Sequence, residues 1–201
     1  MISPQGNKAT RQQEHDDFRM TDIDPYRATI SASAPDPARE KVEHFWQPGH
    51  KLVRALRRYQ HWQARDGVPG RVMRRYWALV HRFWSVMCQC DIPVNTQVGS
   101  GFFLHHANGV VIHPDAVIGV NCMLFNQVTI GAGRANADGR YVPIIGGHVD
   151  IAAGARIVGG ITIGDHAQIG LNAVVLQDVP PGGIAVGVPA RVIRIELPPD
   201  S

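Results

Sequence analysis

The sequence predicts a mainly β chain: a parallel β-helix of six-residue repeats, preceded by an N-terminal α-helical segment. Three observations predict it. First, an aliphatic residue recurs every six positions in three registers: Ile92, Val98, Leu104 and Val110; then Ile112, Ile118, Leu124 and Ile130; then Ile145, Ile151, Ile157, Ile163, Ile169 and Val175. Second, a small residue often sits four places past the anchor, as at Thr96, Ala116, Cys122, Ala155, Ala167 and Ala173, and Gly commonly follows the anchor directly, as at Gly99, Gly119, Gly131, Gly164 and Gly170. Third, before this region the apolar spacing changes to three and four, the helical period. Neither 3.6 nor 2 yields a sustained six; stacked hexapeptide coils do.

Taken in chain order, residues 1–40 are polar and Pro-rich and are expected to be a flexible arm. Residues 41–90 form the α-helical segment. Within it, residues 41–62 read as helical with an interruption at Pro48, and residues 71–88 read as a stronger helix. Val72, Met73, Tyr76, Trp77, Val80, Phe83, Trp84 and Met87 make one apolar face, which with Trp62 is expected to pack the helices on each other and on the β-helix. Gly67, Pro69 and Gly70 are expected to separate the two helices. From Lys51 to Arg82 there are nine Lys or Arg residues and one acid, Asp66, which reads as a solvated basic face; membrane-surface contact is the lesser alternative.

The β-helix is expected over residues 91–192, with a tail at 193–201. Three hexapeptides make a triangular coil of 18 residues. The anchor points inward, the small residue fits the corner, and Gly is expected there because it tolerates backbone angles that side chains forbid. Each coil buries its face only against its neighbours. One loop, residues 132–143, breaks the count between Ile130 and Ile145, and a loop excluded from a regular scaffold is where binding groups tend to be placed.

A formal charge of +3 is too mild to argue for nucleic acid. Three cysteines, Cys88, Cys90 and Cys122, do not make a disulfide framework and fit a reducing cytoplasm. No apolar run is long enough to span a bilayer. The first twenty residues lack the apolar core of a secretory signal.

The segment from Cys90 to Ile193 resembles the serine acetyltransferases of the hexapeptide acyltransferase superfamily. The matching pieces are Asp91-Ile92, Leu104-His105-His106-Ala107-Asn108-Gly109, Gln127-Val128-Thr129-Ile130-Gly131, Ala153-Gly154-Ala155, Val174-Val175-Leu176-Gln177-Asp178-Val179-Pro180 and Gly187-Val188-Pro189-Ala190-Arg191. The resemblance implies left-handed winding, acetyl-CoA as donor, a homotrimer or dimer of trimers, and active sites in clefts between neighbouring prisms. It puts His106 on the family's catalytic histidine and Asp91 on the aspartate that orients it. Chemistry supports the pairing: acetyl transfer to a hydroxyl needs a base titrating near neutrality, and a carboxylate on its other nitrogen fixes the tautomer. At fifteen residues apart, slightly less than one coil, the two can lie on adjacent layers. His105 is expected to point to the opposite face, as neighbours on a strand do. The resemblance also places CoA against Ala132, Ala153 and Leu171. A guanidinium suits a phosphate, so Arg191 is the candidate phosphate partner, with a solvated charge closing the last coil as its other reading. The thioester oxygen needs a donor such as a backbone N–H near Gly131.

The sequence departs from the family on the acceptor side. The family has an acid immediately before its catalytic histidine, where this chain has His105. Its loop carries an Asp-Arg-His-Pro run that holds the serine carboxylate. Here the place reads Arg140-Tyr141-Val142-Pro143, so Val142 stands for the loop histidine and only a shifted Arg140 remains for a carboxylate. His105, Arg140 and Tyr141 are the candidate acceptor contacts. Serine, a related amino acid and a sugar hydroxyl all remain open as acceptor. His148 and His166 are 18 residues apart, each three past an anchor, and should stack on one edge. Two stacked imidazoles suit a metal, but no metal is expected here. With His106 and His113 they leave a zinc hydratase on this fold as the alternative enzyme, and a non-catalytic trimeric scaffold as the third reading.

Overall fold

The computed structural model describes residues 30–196 of the chain; residues 1–29 of the expected arm and 197–201 of the expected tail lie outside them. A 3-10 turn at Pro37–Glu40 leads to helix α1 (Pro48–Gln63) and helix α2 (Gly67–Cys88). The strands follow: β1 (Gln97–Val98), β2 (Phe103–Leu104), β3 (Val111–Ile112), β4 (Val117–Ile118), β5 (Met123–Leu124), β6 (Thr129–Gly131), β7 (Ile144–Ile145), β8 (Asp150–Ile151), β9 (Arg156–Val158), β10 (Thr162–Ile163), β11 (Gln168–Ile169), β12 (Val174–Val175), β13 (Gly183–Gly187) and β14 (Ala190–Ile195).

Successive strands go to three sheets in turn. The first is β1-β4-β7-β10, the second β2-β5-β8-β11-β13-β14, the third β3-β6-β9-β12. Pairing is parallel throughout except where β14 folds back antiparallel on β13. The chain therefore winds round a triangular prism, a left-handed parallel β-helix. Anchors stack in register: Val98 on Ile118, Ile145 and Ile163; Leu104 on Leu124, Ile151 and Ile169; Ile112 on Ile130, Ile157 and Val175. All fourteen anchors are buried, and so are the six small corner residues. At roughly 1.5–3 kcal/mol for each fully buried aliphatic side chain, this stack is the main favourable term of the fold.

The corner glycines work differently from the sequence expectation. Gly99, Gly119, Gly131, Gly164 and Gly170 do not take positive φ. Gly119 is needed for close approach instead: a Cβ there would lie 2.4 Å from the Gly146 carbonyl oxygen of the next coil. Positive φ falls three residues past the anchors, mostly on Asn, Gln and His: Asn121, Gln127, His148, His166 and Asn172. This is the left-handed conformation that the short turn demands.

Two irregularities in the count become two features. Leu104 and Ile112 are eight apart rather than six, so the corner between β2 and β3 carries two extra residues. Ile130 and Ile145 are fifteen apart, and the loop of residues 132–143 leaves the prism between β6 and β7.

The helical segment corrects several expectations. Residues 41–47 are not helical, and Pro48 starts α1 rather than interrupting it, because proline at the first helical position forfeits no hydrogen bond. Gly67, Pro69 and Gly70 belong to the first turn of α2, so only residues 64–66 separate the helices. Trp62, Trp77 and Trp84 are half-buried, but much of the stripe expected as core is uncovered within one chain. Val72, Tyr76, Leu79, Phe83 and Val86 stay exposed, while α2 buries Gly70, His81, Ser85 and Cys88.

The end of the expected arm is held rather than flexible. The Asn121 side chain accepts from Asp36 N (2.8 Å) and donates to Ser31 O (2.7 Å) and Ala34 O (2.8 Å). Arg57 donates to both Glu40 carboxylate oxygens (2.8–3.1 Å) and to Val98 O (2.6 Å), and Phe102 N donates to Glu40 (3.0 Å). This ion pair ties the 3-10 turn and α1 to the first coil. At the other end, β14 extends to Ile195, three residues into the expected tail.

Candidate active site

His106 sits on the widened corner between the second and third sheets. Its φ is +52°, and its side chain is exposed, so the ring points away from the prism interior. The corner is stapled to the end of α2: Gly109 N donates to Gln89 O (3.0 Å), and Asn108 Nδ2 donates to Gln89 Oε1 (2.7 Å). From above, Gln127 N donates to Asn108 O (2.7 Å). Gly49 of α1 closes the other side, where a Cβ would meet Ala107 Cβ and Leu104 O at 3.0 Å.

Asp91 lies two residues past Gln89. Its backbone pairs with the third sheet, Asp91 N donating to Val110 O (2.8 Å) and Ile112 N to Asp91 O (2.9 Å), and its side chain is exposed. Asp91 therefore lies on the third sheet beneath Val111, and His106 on the corner that leads into that sheet. No hydrogen bond or ion pair joins their side chains among the described residues.

His105 does not turn away from His106 as a regular strand would require. Strand β2 ends at Leu104, and the left-handed turn leaves both rings on the outside, 4.3 Å between centroids. His105 packs between Phe103 (5.7 Å) and Phe125 (4.8 Å), and His50 of α1 meets Phe103 at 5.1 Å. Burial, followed by the neighbouring His106 and His50, holds the His105 pKa below the ordinary histidine value. Burial also lowers that of His50, against a smaller opposing pull from Glu43. The sequence contained these aromatics, but nothing in the six-residue count marked them as one cluster.

The other expected site residues divide between two edges of the prism. Ala153 and Leu171 follow β8 and β11 on the edge between the second and third sheets, the His106 edge, and Leu171 is 71% exposed. Gly131 ends β6, and Ala132, Arg140 and Tyr141 belong to the loop, all on the edge between the third and first sheets. Within one chain, therefore, Gly131 and the loop residues do not share the edge of His106. Arg191, on β14 and paired with Val186, is exposed, and its guanidinium donates to Ala190 O (3.3 Å).

Arg140 donates to Gly160 O (3.1 Å) and Thr162 Oγ1 (2.9 Å), and its Nε is buried without a hydrogen-bond partner. Val142 is buried. The Tyr141 hydroxyl donates to Asp115 (2.7 Å), which raises the phenol pKa, and His113 packs edge-on against the Tyr141 ring. A groove of about 590 Å³ opens at the foot of the loop beside Arg134, Gly160, Leu176 and Asp178; neither His106 nor Asp91 lines it.

The histidines of the zinc alternative are dispersed. His106, His113 and the pair His148–His166 occupy three different edges. The pair does stack as its spacing predicts, with the two Nδ1 atoms 2.8 Å apart. No group of three or more potential metal ligands gathers among the described residues.

No protein-family model matches the chain. A serine acetyltransferase of Mycobacterium tuberculosis is 38% identical over 157 residues, 78% of this chain and 62% of the relative. The chain thus spans about six-tenths of that curated relative's length. Among solved structures, soybean serine acetyltransferase complexed with serine superimposes with a TM-score of 0.62 at 30% identity, covering 86% of this chain and 72% of that one. A serine acetyltransferase in complex with CoA superimposes with the same TM-score at 27% identity over the same shares. The chain belongs to the serine acetyltransferase family of hexapeptide-repeat acyltransferases.

Proposed function

We propose that the chain is an acetyl-CoA-dependent O-acetyltransferase of the serine acetyltransferase type, with His106 as general base. The observation that carries this reading is the outward imidazole on a widened corner, with Asp91 on the adjoining third sheet, on the edge that also bears Ala153 and Leu171. His106 takes the proton of an acceptor hydroxyl. The hydroxyl oxygen attacks the thioester carbonyl, the new C–O bond forms, and the C–S bond breaks. The imidazolium returns its proton to the departing thiolate, giving free thiol and the O-acetyl ester. Asp91 orients the ring and favours its protonated form in passing.

Transfer is direct in this reading. The described residues place no Ser or Cys side chain against His106. All three cysteines are unpaired and buried, and burial pushes the Cys122 thiol up to about 12. Unpaired cysteines also support work in a reducing compartment such as the cytoplasm. The relatives' named ligands, serine and CoA, support a small hydroxyl acceptor and this donor.

The two-edge arrangement supports a homotrimer or dimer of trimers. Gly131, Ala132 and the loop residues Arg140 and Tyr141 can join His106 only if a second copy lays its third-to-first edge against the His106 edge. CoA then lies along Ala153 and Leu171, with Arg191 available to a phosphate. The exposed stripe of α2 supports further burial between copies.

The test is thiol release from acetyl-CoA with varied acceptor, together with sedimentation of the full chain. Intersecting initial-rate lines and a trimer or larger are expected. Parallel lines with a detectable acetyl-enzyme would overturn direct transfer, and a monomer active at all dilutions would overturn the composite site.

A further inference from the structure

The end of α2 takes the place of a coil beneath the first corner of the prism. On the edge between the second and third sheets, positive φ recurs three residues before each third-sheet anchor: Gly109 before Ile112, Gln127 before Ile130, Gly154 before Ile157 and Asn172 before Val175. Backbone bonds tie each corner to the one below: Asn172 N donates to Ala153 O (3.0 Å), Gly154 N to Asn126 O (3.0 Å) and Gln127 N to Asn108 O (2.7 Å). Gln89 continues this series downward. It lies three residues before Ile92, its φ is +52°, and its carbonyl oxygen accepts from Gly109 N (3.0 Å).

Gln89 is also the left-handed residue that caps α2, with Gln89 N donating to Val86 O (3.1 Å) and Cys90 N to Ser85 O (2.9 Å). Glycine is the usual occupant of such a cap, because a side chain is disfavoured there. A glutamine in that place points to a use for its side chain. The structure shows one: Gln89 Oε1 accepts from Asn108 Nδ2 (2.7 Å). Both residues are exposed, so the pair fills no space in the core.

The amide pair joins two short segments. Asp91 follows Gln89 by two residues and extends the third sheet against Val111. Asn108 follows His106 by two residues, in a corner two residues longer than its counterparts on later coils. A longer corner has more backbone freedom to restrain. Gln89 restrains it from below and Gln127 from above.

We propose that Gln89 is a positioning residue for acetyl transfer: its side-chain amide clamps Asn108, and with it the widened corner, so that the His106 ring keeps one placement relative to Asp91. The inference rests on the O-acetyl-transfer reading, with His106 as base and Asp91 as its orienting group. Gln89 acts through the two backbones and takes no part in the proton transfer. Small displacements of a positioned group lower the rate of the chemical step more than they lower binding.

The experiment measures initial rates of thiol release from acetyl-CoA with L-serine, using the full chain. Gln89→Gly removes the amide but suits the left-handed cap. Its thermal midpoint is expected to hold or rise while kcat falls at least fivefold, with KM for both substrates within about threefold. Asn108→Ala should lower kcat by a similar factor, and the double variant no further than either single one. In an Asp91→Ala background, Gln89→Gly should change kcat less than twofold, because the group it aligns with His106 is gone. A fall smaller than fivefold, a fall accompanied by a lower thermal midpoint, or effects that multiply with Asp91→Ala would each overturn the inference and leave the acetyltransferase reading standing. If Gln89→Gly fails to fold, Asn108→Ala with and without Asp91→Ala decides by the same criteria. No thiol release by the wild type overturns the acetyltransferase reading, and this inference with it.

Discussion

Replacing His106 tests the assigned chemistry most directly, and the backbone decides which replacement to use. At φ +52° the residue occupies the left-handed region, where an ordinary side chain costs roughly 1–2 kcal/mol but Asn is tolerated. His106→Ala would therefore mix backbone strain with loss of the base. His106→Asn keeps the corner conformation, removes the titrating ring, and leaves the staples at Asn108 and Gly109 in place. A positioned general base typically contributes about 10²–10⁴-fold. At 1.36 kcal/mol per tenfold, that is about 3–5 kcal/mol of barrier. The expected result is a fall of two to four decades in kcat for thiol release, with CoA affinity changed less than threefold and the thermal midpoint unmoved. An unfolding scan and calorimetric CoA titration supply the controls. Turnover within fivefold of wild type, in a folded variant that binds CoA, would refute the assignment of His106 as base.

Three further outcomes follow from the scaffold. Ile157 is fully buried between Ile130 and Val175, so Ile157→Ala should cost about 2–5 kcal/mol and Ile157→Val about 1 kcal/mol in urea unfolding; equal costs would contradict an anchor stacked on both sides. Asn121→Ala breaks three hydrogen bonds to residues 31–36 at a positive φ and should cost roughly 2–4 kcal/mol, with faster proteolysis of that strap; a loss below about 0.5 kcal/mol would mean the strap contributes nothing. Burial holds the pKa of His81 below 6.5, so as pH falls through that value the unfolded chain takes up the proton first and stability present above it is lost. Since His81 Nε2 is buried without a partner, His81→Leu should leave stability at pH 7.5 equal or higher and flatten the decline towards pH 5.5; an unchanged slope in thermal midpoint against pH would count against this.

The hexapeptide period was enough to specify the fold because each anchor meets only its counterparts one coil above and below. A local count therefore predicts a tertiary contact, and it suffices to place Ile145, Ile151 and Ile157 inside the prism. The same locality made the stacking of His148 on His166 legible at a separation of 18 residues. Even the departures from six were informative: the slip between Leu104 and Ile112 became the His106 corner, and the break after Ile130 became the loop. The helical stripe was legible as apolar but not as uncovered, since a 3.6-residue period identifies a face without naming what packs on it.

Period and motif determined a three-sided solenoid and its inward residues. Only the folded chain decided that His105 shares the outer face with His106, that Arg140 is turned onto Gly160 and Thr162, and that the loop lies on a different edge from the base. The reason is that turn dihedrals and side-chain partners depend on groups distant in sequence, such as Gln89 under Asn108 and Thr162 under Arg140, whereas the stacked core depends on one repeated interval.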